Sequence, residues 1–142
     1  MYFHNCAAAV VGIIETPGGI VLIRRGKEPG AGLFDLPGGF VDYGESLESA
    51  LLREIREEVS AEARIASYFA SYPNRYAYHG VVYLTTDAVF ICEAAGIGQA
   101  FVPTDEVGQC QIVRPSEIDL GTIAFDSIRS ALADYRARRQ EV

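Results

Sequence analysis

Cysteine is scarce in this chain, and none of it pairs by spacing. Cys6, Cys92 and Cys110 are far apart, odd in number and without a Cys-x-x-Cys motif. That excludes a disulfide framework and a zinc site of the usual spacing, and it predicts buried, reduced thiols. No apolar run approaches the roughly 20 residues needed to cross a bilayer. The run from Cys6 to Ile14 has no Lys or Arg before it and ends at Glu15, so it reads as a strand and not as a signal core. A cytoplasmic location is the expectation. Basic residues are in the minority: 12 Lys and Arg against 19 Asp and Glu leave a net charge of -7. This argues against a nucleic-acid polymer as partner, because phosphate backbones require a basic surface. It also leaves the membrane without an electrostatic or apolar handle. A small phosphate ligand neutralised by a metal is still compatible. Internal repeats and low-complexity tracts are absent as well.

What is present fits one globular domain spanning residues 1–142, with 49% hydrophobic and 22% charged residues. Ala7 to Thr16 and Ile20 to Ile23 are apolar and β-branched, with Pro17-Gly18-Gly19 between them, so a hairpin is expected to open the domain. A loop rich in Gly and Pro follows, from Arg24 to Leu33, and short extended pieces from Phe34 to Val41. Strands are expected at Arg64 to Tyr72, Val81 to Glu93 and Val107 to Val113, with Pro73-Asn74 as a loop and Pro115 to Leu120 irregular or a short helical turn. A closing helix runs from Asp126, read as an N-cap, to Arg139 on the stripe Ile128, Leu132 and Tyr135. Its arginines Arg136, Arg138 and Arg139 suit the negative end of the helix dipole. Such an order points to an α/β fold, a mixed sheet between helices.

The most informative stretch is Leu36-Pro-Gly-Gly-Phe-Val-Asp-Tyr-Gly-Glu45 with the segment after it. From Leu47 to Val59 there is no Gly or Pro, and apolar residues recur at Leu47, Leu51, Ile55 and Val59, the spacing of an amphipathic helix. Residues three and four apart on a helix are neighbours, so Glu54, Glu57 and Glu58 come together. Alone, they read as a solvated face held by Arg53 and Arg56. A glycine turn directly before them offers backbone carbonyls, and the two features together suit a hard divalent cation. Mg²⁺ favours a few carboxylates plus water and phosphate oxygens.

These residues resemble the Nudix box: Gly39, five residues, Glu45, seven residues, then Arg53-Glu54-Ile55-Arg56-Glu57-Glu58. The box continues with any residue, a Gly and an apolar residue, whereas this chain has Val59, Ser60 and Ala61. Ser60 therefore stands where a glycine usually supplies a left-handed cap, and the helix is expected to end there either with some strain or with a different cap. Val21 to Pro29 and Thr104 to Val107 resemble flanking segments of relatives, so the likeness covers most of the chain. It implies a Nudix-type α/β/α sandwich and a Mg²⁺- or Mn²⁺-dependent pyrophosphohydrolase of a small-molecule nucleotide substrate, with homodimer formation left open. By resemblance, Glu54, Glu57, Glu58 and the carbonyl of Gly38 are metal ligands, and Glu54 is also a candidate for handling the water. Arg53 braces the carboxylates. Glu45 reads equally as a helix-dipole partner or an outer-shell metal residue, and Glu106 as an additional ligand or general base, with Asp105 able to fill the same place.

Substrate contacts are less determined. Arg24, Arg25 and Lys27 can hold a distal phosphate or be a solvated basic loop. Phe34, Tyr76, Tyr78 and Tyr83 can stack on a base or fill the core. His4 and His79 match no ligand spacing. The leading expectation is cleavage of a nucleoside diphosphate linked to another moiety, giving a nucleoside monophosphate and a phosphorylated partner. A nucleoside triphosphate or oxidised nucleotide is the alternative within the class, and a non-catalytic nucleotide sensor is the alternative outside it.

Overall fold

The computed structural model describes residues 5–140; His4 lies outside them. Strands β1 (Ala7–Thr16) and β2 (Gly19–Arg25) form the expected hairpin, yet they pair only beside the turn, at Glu15↔Ile20 and Thr16↔Gly19. Beyond that they splay. The gap is filled by β3 (Phe34–Asp35), which pairs with β2, and β4 (Gly38–Phe40), which pairs with β1. The peptide between them is tied in by the Gly12 N–H, which donates to the Pro37 carbonyl at 2.8 Å. Helix α1 (Leu47–Val59), strands β5 (Ala63–Tyr78), β6 (Val81–Ala94) and β7 (Val107–Val113), two short 3-10 turns and helix α2 (Asp126–Gln140) complete the chain. The main sheet order is β3-β2-β1-β6-β5, with β7 on β2, and β1 runs parallel to β6 over its whole length. This mixed sheet lies between α1 and α2.

Strand alternation distributes the core. Val10, Ile14, Val21 and Ile23 face α1 and its Ala50, Leu51, Ile55 and Val59. Val11, Ile13, Ile20 and Leu22 face α2 and its Ile128, Ala131, Leu132 and Tyr135. The arginines at the basic end of α2 are each engaged, one with the sheet, one within the helix and one with the 3-10 segment. The guanidinium carbon of Arg138 lies 4.1 Å from the Phe69 ring centroid, Arg139 donates to the Tyr135 hydroxyl at 2.9 Å, and Arg136 donates to the Ile118 carbonyl.

Three expectations are corrected. Pro73-Asn74 is no loop: β5 continues through it, with Pro73 opposite Thr86. The strand has β6 as its one partner in the sheet order, so a residue without an N–H is tolerated on its open side. Asp126 lies inside the first turn of α2, because the Phe125 carbonyl takes the first helical hydrogen bond, from the Arg129 N–H at 3.0 Å. Of the cysteines, Cys92 is buried and Cys110 half-buried, but Cys6 is exposed, preceding the first strand.

Helix α1 is capped at both ends. Ser46 and Ser49 form a reciprocal capping box at its start. At its exit Ser60 takes the left-handed conformation, φ 56° and ψ 41°, and its N–H donates to the Arg56 carbonyl at 3.1 Å. A serine there carries the steric cost that glycine avoids. Ser60→Gly is expected to stabilise the protein by about 0.5–1 kcal/mol, the left-handed cost less the extra chain entropy of glycine. Urea unfolding measures it, and an unchanged midpoint would show that Ser60 carries no strain.

Candidate active site at the junction of α1 and the splayed hairpin

Glycine is required where β4 meets α1. A Cβ on Gly38 would stand 2.1 Å from the Val10 carbonyl oxygen, and one on Gly39 would stand 2.6 to 2.9 Å from the carboxylate atoms of Glu54. Bare backbone lets α1 press its carboxylates against the strand. The Gly38 N–H donates to Glu58 Oε1 at 2.7 Å. Burial pushes the Glu58 carboxyl well above the ordinary range; the Gly38 N–H opposes that shift, while nearby Asp35 and Glu54 add to it. Glu54 is raised in the same way, first by burial and then, against the pull of Arg53, by Glu57 and Glu106.

Arg53 holds the outer side of the cluster. Its Nε and Nη2 grip Glu45 at 2.7 and 2.8 Å, its Nη1 reaches Glu54 at 2.9 Å and Glu57 at 3.3 Å, and Nη2 also donates to the Phe40 carbonyl at 3.2 Å. This fork, with the Asp42 N–H, holds the Glu45 carboxyl down at about 2. Arg56, expected beside the glutamates, turns away to Glu62 at 2.8 Å.

Inward of these carboxylates lies an open cavity of about 690 Å³. Its lining brings together Gly38, Glu54, Glu58, Glu106, Arg25 and Tyr78 of the residues singled out from the sequence. Glu57 stays on the exposed face of α1 with Arg53. Arg24 and Phe34 lie outside the lining: the Arg24 guanidinium sits over the Phe34 ring at 5.7 Å and donates to the Gly32 carbonyl. Glu106 lines the cavity and Asp105 does not. Lys27 stands exposed on the same wall. Arg25 reaches the cavity, but its guanidinium is engaged by Asp35, the Pro29 carbonyl and the Tyr76 hydroxyl.

Two acids went unremarked in the sequence. Asp35 is buried, and despite Arg25 at 3.1 Å burial lifts its carboxyl to about 6. Asp87 is buried on β6, where Thr85 and Ser127 donate to its two oxygens at 2.7 and 2.6 Å. The available signal was an acid without a charged neighbour in a strand-like run, Phe34-Asp35-Leu36 and Thr86-Asp87-Ala88.

These residues fit a divalent cation. Glu54 and Glu58 are half-buried carboxyls, both raised by loss of water and Glu58 further by Glu54, and the cavity side of the pair is faced by further acids. As the side chains stand, no three Asp, Glu, His or Cys residues among those described are close enough to hold an ion. Glu57 is the one turned outward. A bound cation would supply the missing counter-charge.

The NUDIX domain profile matches residues 4–134. The chain belongs to the Nudix family. A curated relative from Methanocaldococcus jannaschii, an ADP-ribose pyrophosphatase, is 46% identical over 72 residues, covering 51% of this chain and 42% of the relative. A CTP pyrophosphohydrolase from Escherichia coli is 44% identical over 64 residues, covering 44% and 47%. The match thus spans less than half the length of either relative. A Nudix hydrolase structure from Nitrosomonas europaea superposes with a TM-score of 0.82 at 25% identity, over 99% of this chain and 75% of that one. Among the described residues no helix is long and apolar enough to cross a membrane.

The raised carboxyls of this Nudix chain make a prediction for the metal-free protein. A carboxyl whose folded value exceeds its unfolded value binds its proton more tightly when folded, so stability falls as pH rises through that interval. For Asp35 the interval runs from 3.8 to about 6, and Glu54 and Glu58 act with the same sign. Metal-free protein is expected to unfold at lower urea at about pH 7 than at about pH 4.5, Asp35 alone contributing about 2 kcal/mol. Asp35→Asn should flatten that slope, and an equal slope in the variant would refute the assignment.

Proposed function

We propose that the protein is a metal-dependent phosphoanhydride hydrolase that cleaves a nucleoside diphosphate linked to another moiety, releasing a nucleoside monophosphate and a phosphorylated partner. The observation that carries this reading is the pair of half-buried carboxyls, Glu54 and Glu58, both raised by partial loss of water, at the base of a large cavity whose other wall is aromatic. Such a pair is costly unless a cation binds there. Glu54, Glu57, Glu58 and the carbonyl of Gly38 are the residues that would hold Mg²⁺ or Mn²⁺. The ion would neutralise phosphate oxygens and acidify a water molecule. Arg53 keeps Glu54 and Glu57 in place from outside.

Glu106 is the proposed proton acceptor, since it faces the cavity and its backbone is pinned where the Gly26 N–H donates to its carbonyl at 2.9 Å. Lys27 supplies a cation for the phosphates at the same wall. Tyr78, with Tyr83 and Phe40, offers exposed rings for a planar group: each keeps about 40% of its surface free. The ADP-ribose pyrophosphatase relative supports a diphosphate that joins two moieties, and the CTP pyrophosphohydrolase relative supports the triphosphate alternative. A net charge of -7 favours a small substrate over a nucleic-acid polymer.

Glu58→Gln is expected to keep the fold and lower turnover by on the order of 10² to 10³, because it removes a ligand charge from a site that the isostere still fills. Chelation should abolish activity in the wild-type protein, and Mg²⁺ or Mn²⁺ should restore it. The decisive assay is a panel of ADP-ribose, nucleotide sugars, dinucleotides, coenzyme A and triphosphates in ¹⁸O-water, with products identified by mass. Binding without turnover across that panel would replace the enzyme by a nucleotide sensor.

A further inference from the structure

Arg25 ends β2 at the cavity, where an arginine invites assignment to a substrate phosphate. Its surroundings leave little of it for that. Nε donates to the Pro29 carbonyl at 2.6 Å, Nη1 to Asp35 Oδ2 at 3.1 Å and Nη2 to the Tyr76 hydroxyl at 3.3 Å. The guanidinium carbon is 4.9 Å from the centroid of the Phe125 ring and 6.0 Å from that of Tyr76. One side chain therefore joins four separate parts of the fold: the loop after β2, strand β3, the β5–β6 arm and the entry to α2. Its charge already faces Asp35, and only 18% of its side chain is exposed.

Tyr76 is the centre of the aromatic wall. It meets Phe125 at 5.5 Å and Tyr78 at 6.2 Å in tilted stacks, and Phe40 edge-on at 5.6 Å. Its partner across the arm is Tyr83, which lies on the same face and also meets Phe40 edge-on, at 6.4 Å. The arm extends past the last β1–β6 pair, Ala7↔Thr85, so β1 does not support it at Tyr76 and Tyr83. The Arg25 fork and the rings of Phe125 and Phe40 hold Tyr76 to the body of the protein, and of these Arg25 alone makes a hydrogen bond to it.

We propose that Arg25 is a positioning residue for the part of the substrate beyond the diphosphate: it fixes the aromatic wall through Tyr76 and Phe125, and it does not contact the phosphates. The proposal rests on the nucleotide reading of the cavity. Lysine would keep the positive charge but could not match a planar fork that reaches three acceptors in three directions. A phosphate contact and a positioning role thus make opposite demands on the conservative variant.

The test uses the full chain with Mg²⁺ and two probes measured by calorimetry: adenosine, which has no phosphate, and methylenediphosphonate, which has no base. In Arg25→Lys the adenosine affinity is expected to fall about tenfold, the worth of one hydrogen bond from a charged group, with methylenediphosphonate affinity unchanged. The ring resonances of ¹³C-labelled Tyr76 should shift. Should Arg25→Lys fail to unfold cooperatively, Tyr76→Phe removes only the hydroxyl that Arg25 holds, and a smaller loss of adenosine affinity is expected. Unmoved Tyr76 resonances would overturn the proposal. So would a methylenediphosphonate affinity that drops in Arg25→Gln and returns in Arg25→Lys. If the wild-type protein binds neither probe, the nucleotide reading fails, and the tyrosine resonances still decide the role of Arg25.

Discussion

A carboxylate pressed out of water against a bare strand is the interaction on which the rest of this structure depends. Glu58 is half-buried where α1 meets β4, with the Gly38 N–H as its hydrogen-bond donor and the acids Asp35 and Glu54 as neighbours. Removing an uncompensated charge from water costs several kcal/mol, so something must hold it there. The apolar stripe of α1 does so: Leu51, Ile55 and Val59 are each no more than 1% exposed against the sheet. Gly38 lets β4 lie against the Val10 backbone of β1, and Gly39 leaves the room that the Glu54 carboxylate occupies. Hydrophobic packing, which has energy to spare, is spent on a site with an electrostatic deficit, the usual relation between a stable scaffold and a strained centre.

Cations are distributed accordingly. With a net charge of -7 the chain has few to place, and two of those nearest the cavity serve the protein itself. Arg53 lies behind the glutamates and stops them from repelling one another into solvent, without entering the space they enclose. Arg25 stands on the opposite wall, paired with Asp35. The cavity between is left acidic at its base, the condition under which a divalent ion and a phosphate chain bind together and neither binds well alone. Arginine suits both posts because its fork fixes direction as well as charge.

What the sequence discloses follows from how local each determinant is. Helix α1 is found at its predicted bounds because stripe, caps and formers all lie within Ser46 to Ser60, and β1 and β7 likewise announce themselves by composition. The missing glycine left two exits open at Ser60, a strained cap or a different one, and the left-handed φ of 56° is the first of them. Pro73 was misread because its tolerance depends on β5 being at the sheet edge, which no window of residues reveals. The partners of Arg25 are hidden for the same reason: Tyr76, which its guanidinium meets, lies 51 residues away. Glu106 and Asp105 are adjacent and chemically alike, and only the Gly26 to Glu106 backbone bond turns one of them to the cavity. Asp35 and Asp87 were visible as lone acids in apolar runs, but burial alone gives them meaning.

The two halves of the site also differ in how freely they can change. The carboxylate half is built by α1, β4 and the splay of the β1–β2 hairpin; the hairpin feeds both core layers and α1 one of them, so an altered residue there disturbs packing as well as chemistry. The other half is one face of a two-stranded arm. Strand alternation and the pairing of Tyr76 with Tyr83 put Tyr78, Tyr76 and Asn74 of β5 beside Tyr83, Thr85 and Asp87 of β6 on that face. The face grades from aromatic at the outer end to hydroxyl and carboxylate near the sheet. Its outer positions bury little, so they can be exchanged at small cost in stability. On the proposed reading, the bond to be broken is specified by the rigid half and the attached moiety by the arm. Arg25, reaching from β2 to Tyr76, is the residue through which the rigid half sets the position of the exchangeable one.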